Sequence, residues 1–281
     1  MGYRGHPANV VARLMTDLPR SLMFDQKVAV VFGGSSGIGK ATAQLLVERG
    51  ASVLIAAPDA PDALDQLALS VGLSDTVAGL SCDVTDRAQV RLAFDTTADR
   101  FGSPPDVVVN SAGIYVTTDI FDPDWTAVDR AVGVNLVGAI NVTLGAVAAM
   151  QGRGGVIVSV TSTQAVLAEP GSPVYAATKA GLSHFVASLS PDLRSSGIRV
   201  VSVAPGATLT PMVSGALDTN DPASIAAMRA FEQTRRGPYG EFWQMPEQMA
   251  RTILMLASDE ARGVHATTVV VDQGTTSAWM L

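Results

Sequence analysis

A doubly wound α/β fold, with one seven-stranded, mostly parallel sheet and helices on both faces, is what this chain of 281 residues predicts. Three observations carry that expectation. From Lys27 onward, short β-branched runs alternate with helical stretches, which implies right-handed crossovers between parallel strands. A glycine-rich loop separates the first strand signal from the first helix signal. Hydrophobic residues make up 47% of the chain and charged residues 16%, an apolar balance that suits a sheet covered on both faces.

Taken in order, strands are expected at 28–32, 52–56, 77–81, 107–110, 156–160, 199–204 and 267–271. Helices are expected at 37–49 and near 87–101, 124–150, 174–194 and 246–258. Pro191 removes a hydrogen bond and crowds the preceding turn, so the helix before it should kink or stop between Val186 and Ser190. Residues 1–24 precede the first strand signal and read as an N-terminal extension, leaving 25–281 as one domain without internal repeats. Gly215, Pro222, Gly237, Pro238 and Gly240 interrupt the stretch 207–245, as in a lid over a binding site.

The loop Gly33-Gly34-Ser35-Ser36-Gly37-Ile38-Gly39 follows a strand and opens a helix. Glycines there let the backbone turn tightly and approach a diphosphate, whose charge a helix N-terminus favours. Tyr175 and Lys179 stand four apart and therefore on one helix face, thirteen residues after Ser162 at the end of an apolar run. An ammonium close to a phenol is expected to lower the phenol pKa by roughly one to three units from about 10, bringing proton exchange towards neutrality.

These motifs together resemble the short-chain dehydrogenase/reductase family over roughly residues 25–276. The spacing of Gly33, Gly37, Ile38 and Gly39 is similar to that family's cofactor loop, and Asn110-Ser111-Ala112-Gly113 looks like its Asn-Asn-Ala-Gly turn. Pro205-Gly206 with Thr210 and Met212 resembles its Pro-Gly-x-x-x-Thr-x-Met segment. Asn135, Ser162, Tyr175 and Lys179 fall at the places of its catalytic set. Three departures stand out: Phe32 in place of a threonine, Ser111 in place of a second asparagine, and Gln273 in place of a glycine. Phe32 removes a hydroxyl that often ties neighbouring loops together.

The resemblance implies a Rossmann-type domain and a hydride transfer between a nicotinamide and a secondary alcohol or ketone. Tyr175 is then the proton donor or acceptor, Lys179 its electrostatic partner, Ser162 a donor to the developing oxyanion, and Asn135 the holder of a water leading to solvent. Asp83 is expected to accept from the adenine amino group or simply to cap a turn. The cofactor cradle implied comprises Gly33, Ser35, Ser36, Gly37, Ile38, Gly39, Asp59, Asp83, Val84, Asn110, Ala112, Gly113, Pro205, Gly206, Thr208 and Thr210, with Tyr175 and Lys179. The expected substrate walls are Ser162, Gln164 to Val166, Pro170 to Ser172, Tyr175, Met212, Phe231, Phe242, Trp243 and Met245. Arg235-Arg236 offers a grip for a carboxylate or phosphate, or is a solvated pair.

Cofactor choice is decided after the second strand, where the family places an acid for a ribose diol or a base for a 2′-phosphate. Here those places read Ala57 and Pro58. No Lys or Arg occurs between Arg49 and Arg87, whereas Asp59, Asp62 and Asp65 do, so NAD(H) is favoured over NADP(H), with Asp59 the acid nearest the diol. Rival readings are a 3-oxoacyl carrier-protein reductase, which wants a basic docking patch, and a non-catalytic dinucleotide sensor, which the intact catalytic set disfavours.

Composition bounds the rest. A formal charge of −7 argues against general nucleic-acid or anionic-membrane surfaces, so a small-molecule substrate is the expected partner. Cys82 is the only cysteine, which fits a reducing cytoplasm, and His6, His184 and His265 lack metal-ligand spacing. No secretory pattern opens the chain. Arg130 to Arg153 encloses an uncharged stretch of nearly membrane-spanning length, but Asn135, Asn141 and Thr143 interrupt it, so a helix of the core or of a subunit interface is expected. The family resemblance implies a homotetramer or homodimer.

Overall fold

The computed structural model describes residues 23–72, 75–214 and 236–278, together with Arg229, Glu232 and Gln233. Of the segment expected as an N-terminal extension, residues 1–22 lie outside the described residues. Phe24, at its end, is buried in the core, with its N–H donating to the Arg49 carbonyl at 3.0 Å.

Element order is β1 (Val28–Phe32), α1 (Gly37–Glu48), β2 (Ser52–Ala57), α2 (Pro61–Val71), β3 (Val77–Ser81), α3 (Arg87–Phe101) and β4 (Val107–Asn110). There follow α4 (Trp125–Val132), a π-helical turn (Gly133–Gly138), α5 (Ala139–Ala149), β5 (Gly155–Val160), a 3-10 turn (Thr163–Ala165), α6 (Pro173–Ser188) and β6 (Ile198–Pro205). Short α7 (Pro211–Ser214), α8 (Pro246–Ala257), β7 (Thr268–Val271) and short α9 (Thr275–Ala278) complete it.

The seven strands run β3-β2-β1-β4-β5-β6-β7, and every pairing is parallel, where the sequence suggested a mostly parallel sheet. Alternate strand residues feed two cores. Val31, Ile55, Val109 and Val158 point to the side covered by α1, α2 and α8 through Leu46, Leu64 and Ile253. Val30, Leu54, Val108 and Ile157 point to the other, covered by α3, α5 and α6 through Phe94, Val142 and Leu182. The chain leaves β1 towards β2 and β3, then returns to β4 on the other side of β1. That reversal opens a crevice beyond the strands' carboxyl ends, where open α/β sheets bind ligands.

Helix α2 is absent from the sequence expectation. Pro61 at its first turn and Asp62 suit a helix N-terminus, but only Leu64 and Ala68 are buried, too short an apolar stripe to stand out. The expected helix over 124–150 is two helices joined by the π turn. It is long and apolar enough to cross a membrane by length and composition, but its polar groups are spent within the fold. Asn141 donates to the Val84 carbonyl at 3.1 Å and accepts from Arg87 Nε at 3.1 Å. Helix α6 ends at Ser188, three residues before Pro191.

Candidate active site

Every site loop leaves the carboxyl end of a strand. The loop after β1 is held by backbone: Gly33 N–H donates to Ala56 O at 2.8 Å, and Ser111 N–H donates to Phe32 O at 2.9 Å. A Cβ on Gly33, whose φ is +71°, would lie 2.6 Å from Ala112 N, and one on Gly39 would lie 2.1 Å from Gly33 O. Only glycine allows these two approaches. Phe32 does not loosen this corner, because its ring is fully buried against Phe94 with centroids 5.5 Å apart. Ser36 caps α1 with no side-chain bond, so its first-turn N–H groups stay available to an anion.

A cavity of about 1030 Å³ runs from this loop to α6. Of the expected cofactor residues, Gly33, Ser35, Ser36, Gly37, Ile38, Asp59, Asp83, Val84, Ala112, Gly113, Pro205, Gly206, Thr208 and Thr210 line it. Gly39 and Asn110 stand behind the wall. Asn110 is buried and its Oδ1 accepts from Ala112 N–H at 3.3 Å, shaping the loop after β4. Asp83 Oδ1 accepts from the Thr85 N–H and hydroxyl at 2.9 and 2.8 Å, so this carboxylate caps a turn while also lining the cavity.

At the opposite end, α6 carries Tyr175 and Lys179, both buried. Lys179 Nζ lies 5.7 Å from the Tyr175 ring centroid and donates to the Val160 carbonyl at 3.1 Å. This geometry corrects one expectation. Burial pushes the phenol up to about 12, with the Ser162 hydrogen bond pulling the other way and the charges of Tyr115 and Glu169 adding to the rise. Burial pushes Lys179 down to about 8. Desolvation therefore outweighs the pairing, and Tyr175 is a neutral acid at pH 7.

Asn135 sits in the π turn, fully buried. Its Oδ1 accepts from Ile114 N–H at 2.8 Å, and its Nδ2 donates to Ile114 O at 2.9 Å and Thr178 Oγ1 at 3.3 Å. The amide ties the loop after β4 to α6, where the resemblance implied a water holder. A Cβ on Gly113 would lie 3.2 Å from Lys179 Nζ and 3.3 Å from Asn135 Oδ1, so glycine keeps the space beside the ammonium open.

A family model described as "Enoyl-(Acyl carrier protein) reductase" matches residues 33–276. The chain belongs to the short-chain dehydrogenase/reductase family. It is 37% identical to a cis-4-hydroxycyclohexanecarboxylate dehydrogenase of Sinomonas cyclohexanicum, over 90% of this chain and 98% of that protein. It is 35% identical to the 3-oxoacyl-(acyl-carrier-protein) reductase FabG of Thermotoga maritima, over 90% and 99%. It is 34% identical to (+)-borneol dehydrogenase 1 of Salvia officinalis, over 90% and 95%. As a member of this family the chain is an NAD(P)(H)-dependent oxidoreductase that moves hydride between a nicotinamide and a secondary alcohol or ketone.

Within this family frame the substrate end differs in detail from the expected walls. Ser162, Gln164, Tyr175, Met212, Phe242 and Trp243 line it, whereas Ala165, Val166, Pro170, Gly171 and Met245 do not. Val166 and Met245 turn to solvent. Phe231 and Arg235 lie outside the described residues, as does the middle of the stretch expected as a lid. Its two ends are joined by a bridge between Thr208 and Gln244, and Trp243 Nε1 donates to Glu232 at 2.6 Å. Sequence reasoning missed Tyr115, whose ring meets Tyr175 edge-on with centroids 5.1 Å apart, and Glu169. Tyr115, two residues beyond the Asn-Ser-Ala-Gly turn, was the available signal.

Proposed function

We propose that Ser162, Tyr175 and Lys179 are the reacting end of the dinucleotide cavity, with Asn135 positioning them. The observation that carries this reading is their convergence at one end of a cavity whose other end is the glycine loop. The chain fits a dinucleotide on its own geometry: the backbone approaches at Gly33 and Gly39 leave a cradle that a Cβ would fill, beside uncapped N–H groups of α1. A nicotinamide bound there supplies or accepts hydride. Tyr175, protonated at neutral pH, gives its phenolic proton to a carbonyl oxygen in reduction. Ser162 donates to the same oxygen as negative charge develops, an effect typically worth several kcal/mol. Lys179, held on Val160 O, supplies positive charge beneath the phenol.

NAD(H) is the cofactor this cavity favours. Asp59 and Pro58 line the wall after β2 and Ser35 and Ser36 the wall after β1, while Lys40 does not line it. A 2′-phosphate would bring up to about two negative charges to a wall that already holds Asp59. Comparing kcat/KM for NADH and NADPH on one cyclic ketone at fixed salt tests this, and a tenfold preference for NADPH would overturn it.

A carrier-protein thioester is the second reading, motivated by the relative named FabG. A net charge of −7 disfavours docking of an acidic carrier, so small ketones are expected to be the better substrates. Buried Cys82, its thiol pushed up to about 12 by burial and neighbouring acids, fits a reducing cytoplasm. A homotetramer is favoured over a homodimer. Exposed apolar side chains include Leu92, Trp125, Val132, Val137 and Leu144 on α3 to α5 and, elsewhere, Val270 on the edge strand β7.

A further inference from the structure

We infer that Glu169 selects the substrate by charge: the substrate end of the cavity takes neutral or cationic alcohols and ketones that carry a second hydrogen-bond donor, and rejects carboxylates. This rests on the reading that Ser162, Tyr175 and Lys179 mark the substrate end.

Glu169 stands on the loop between the 3-10 turn and α6, half-buried and on the cavity wall. A chain of directed hydrogen bonds fixes it. The hydroxyl of fully buried Ser172 donates to Gln164 Oε1 at 2.8 Å, and Gln164 Nε2 donates to Glu169 Oε2 at 2.6 Å. The Ser172 bond sets the orientation of the Gln164 amide, so its NH₂ faces the acid. Gln164 thus neither meets a substrate carboxylate with its NH₂ nor leaves Glu169 free to swing away. Oε1 of Glu169 accepts from no described residue, and an incoming hydroxyl, amide N–H or ammonium can supply the missing donor.

The surrounding charges do not compensate. Among the described residues, the other charged ones on the wall are Asp59, Asp83, Asp129, Arg130 and Lys179. Lys179 keeps its charge beneath the Tyr175 ring with one donor on Val160 O, and Asp129 accompanies Arg130 on α4, so acids still outnumber bases on this wall. Glu169 also acts on the reacting group itself, since its charge is one of the causes that hold the Tyr175 pKa up. A carboxylate brought to this end meets a fixed like charge in a partly desolvated space, where such repulsion is least screened. The name of the Sinomonas relative carries a carboxylate substrate, and the anion on this wall is expected to disfavour such a substrate in this chain.

The test uses isosteric ring alcohols, 4-hydroxycyclohexanecarboxamide and 4-hydroxycyclohexanecarboxylate, with 4-(aminomethyl)cyclohexanol as the cation. For each, kcat/KM is measured, and for any that do not react, Ki against cyclohexanone reduction. The full-length enzyme is expected to favour the amide and the ammonium over the carboxylate by at least about tenfold at low salt. Glu169→Gln should shrink that ratio to within about threefold, and Glu169→Lys should invert it. A wild-type enzyme that takes the carboxylate as well as the amide overturns the inference and points to a grip such as Arg235-Arg236 instead. The wild-type ratio decides even if a variant does not fold. Unimpaired cyclohexanone reduction by Tyr175→Phe would instead defeat the site reading and not the charge argument.

Discussion

Tyr175 and Lys179 pull in opposite directions on stability and on function. Tyr175→Phe is expected to keep the fold and cofactor affinity and to lower turnover by at least about a hundredfold, since the general acid is lost; near-native turnover would exclude the phenol. Because the phenol is held near 12, oxidation, which needs the phenolate, should quicken with pH up to at least 10, whereas reduction gains nothing from raising the pH. Rate profiles in the two directions check this. Lys179 has the reverse relation to stability. Its folded pKa, about 8, lies below the ordinary 10.5, so between those values the unfolded chain binds more protons and the stability from this group rises with pH. Below pH 8 the buried ammonium costs on the order of 3 kcal/mol. Lys179→Met should therefore be inactive yet at least as thermally stable as the natural protein at pH 7. Its Tm advantage should shrink by pH 9.5; a destabilised variant with an unchanged gap would show that the Val160 hydrogen bond matters more than the desolvation. Sequence spacing put these two side chains on one face, but it could not give the depth of their burial, which reversed the sign of the phenol shift.

At the scale of elements, what could be read from the sequence follows from the kind of signal each element leaves. β4 stands at the expected residues because a continuous valine run between turn residues has few other readings. Helix α2 escaped because two buried residues make no stripe, and the π turn escaped because the segment around it is apolar on nearly every side and offers no stripe whose shift an extra residue would reveal. That turn is what aims Asn135 at Ile114. Tyr115 and Glu169 reach the cavity through loops whose course depends on tertiary packing, which no local pattern encodes. The glycine loop was the most legible element, because its spacing reports backbone contact directly. Gly39→Ala tests that contact: a Cβ 2.1 Å from Gly33 O meets backbone and cannot be relieved by a rotamer change. Cofactor affinity, followed through the fluorescence of Trp243 on the cavity wall, should fall at least about tenfold, given that 1.4 kcal/mol suffices for that factor. Unchanged affinity would separate the loop from cofactor binding.

For the whole molecule, the apolar balance noted in the sequence is distributed unevenly over the surface. The sheet's two cores absorb most of it, yet Trp125 of α4 is 68% exposed, and Leu92 of α3 and Leu144 of α5 are each about half-exposed. Helices α3 and α5 pack on each other, so Leu92 and Leu144 lie on one side of the sheet, while exposed Val270 lies on β7, the edge strand at the far end of the strand order. An exposed parallel edge strand such as β7 is a pairing hazard unless a neighbour covers it. Two separate self-complementary faces generate a closed tetramer, whereas one generates a dimer. Leu92→Arg with Leu144→Arg should therefore convert a tetramer to a dimer in sedimentation velocity, because two cations on an isologous face meet their own copies. The converted dimer should retain turnover, since neither residue lines the cavity. A double variant that stays tetrameric would move the interface elsewhere, and a natural protein that sediments as a monomer would remove both faces from assembly.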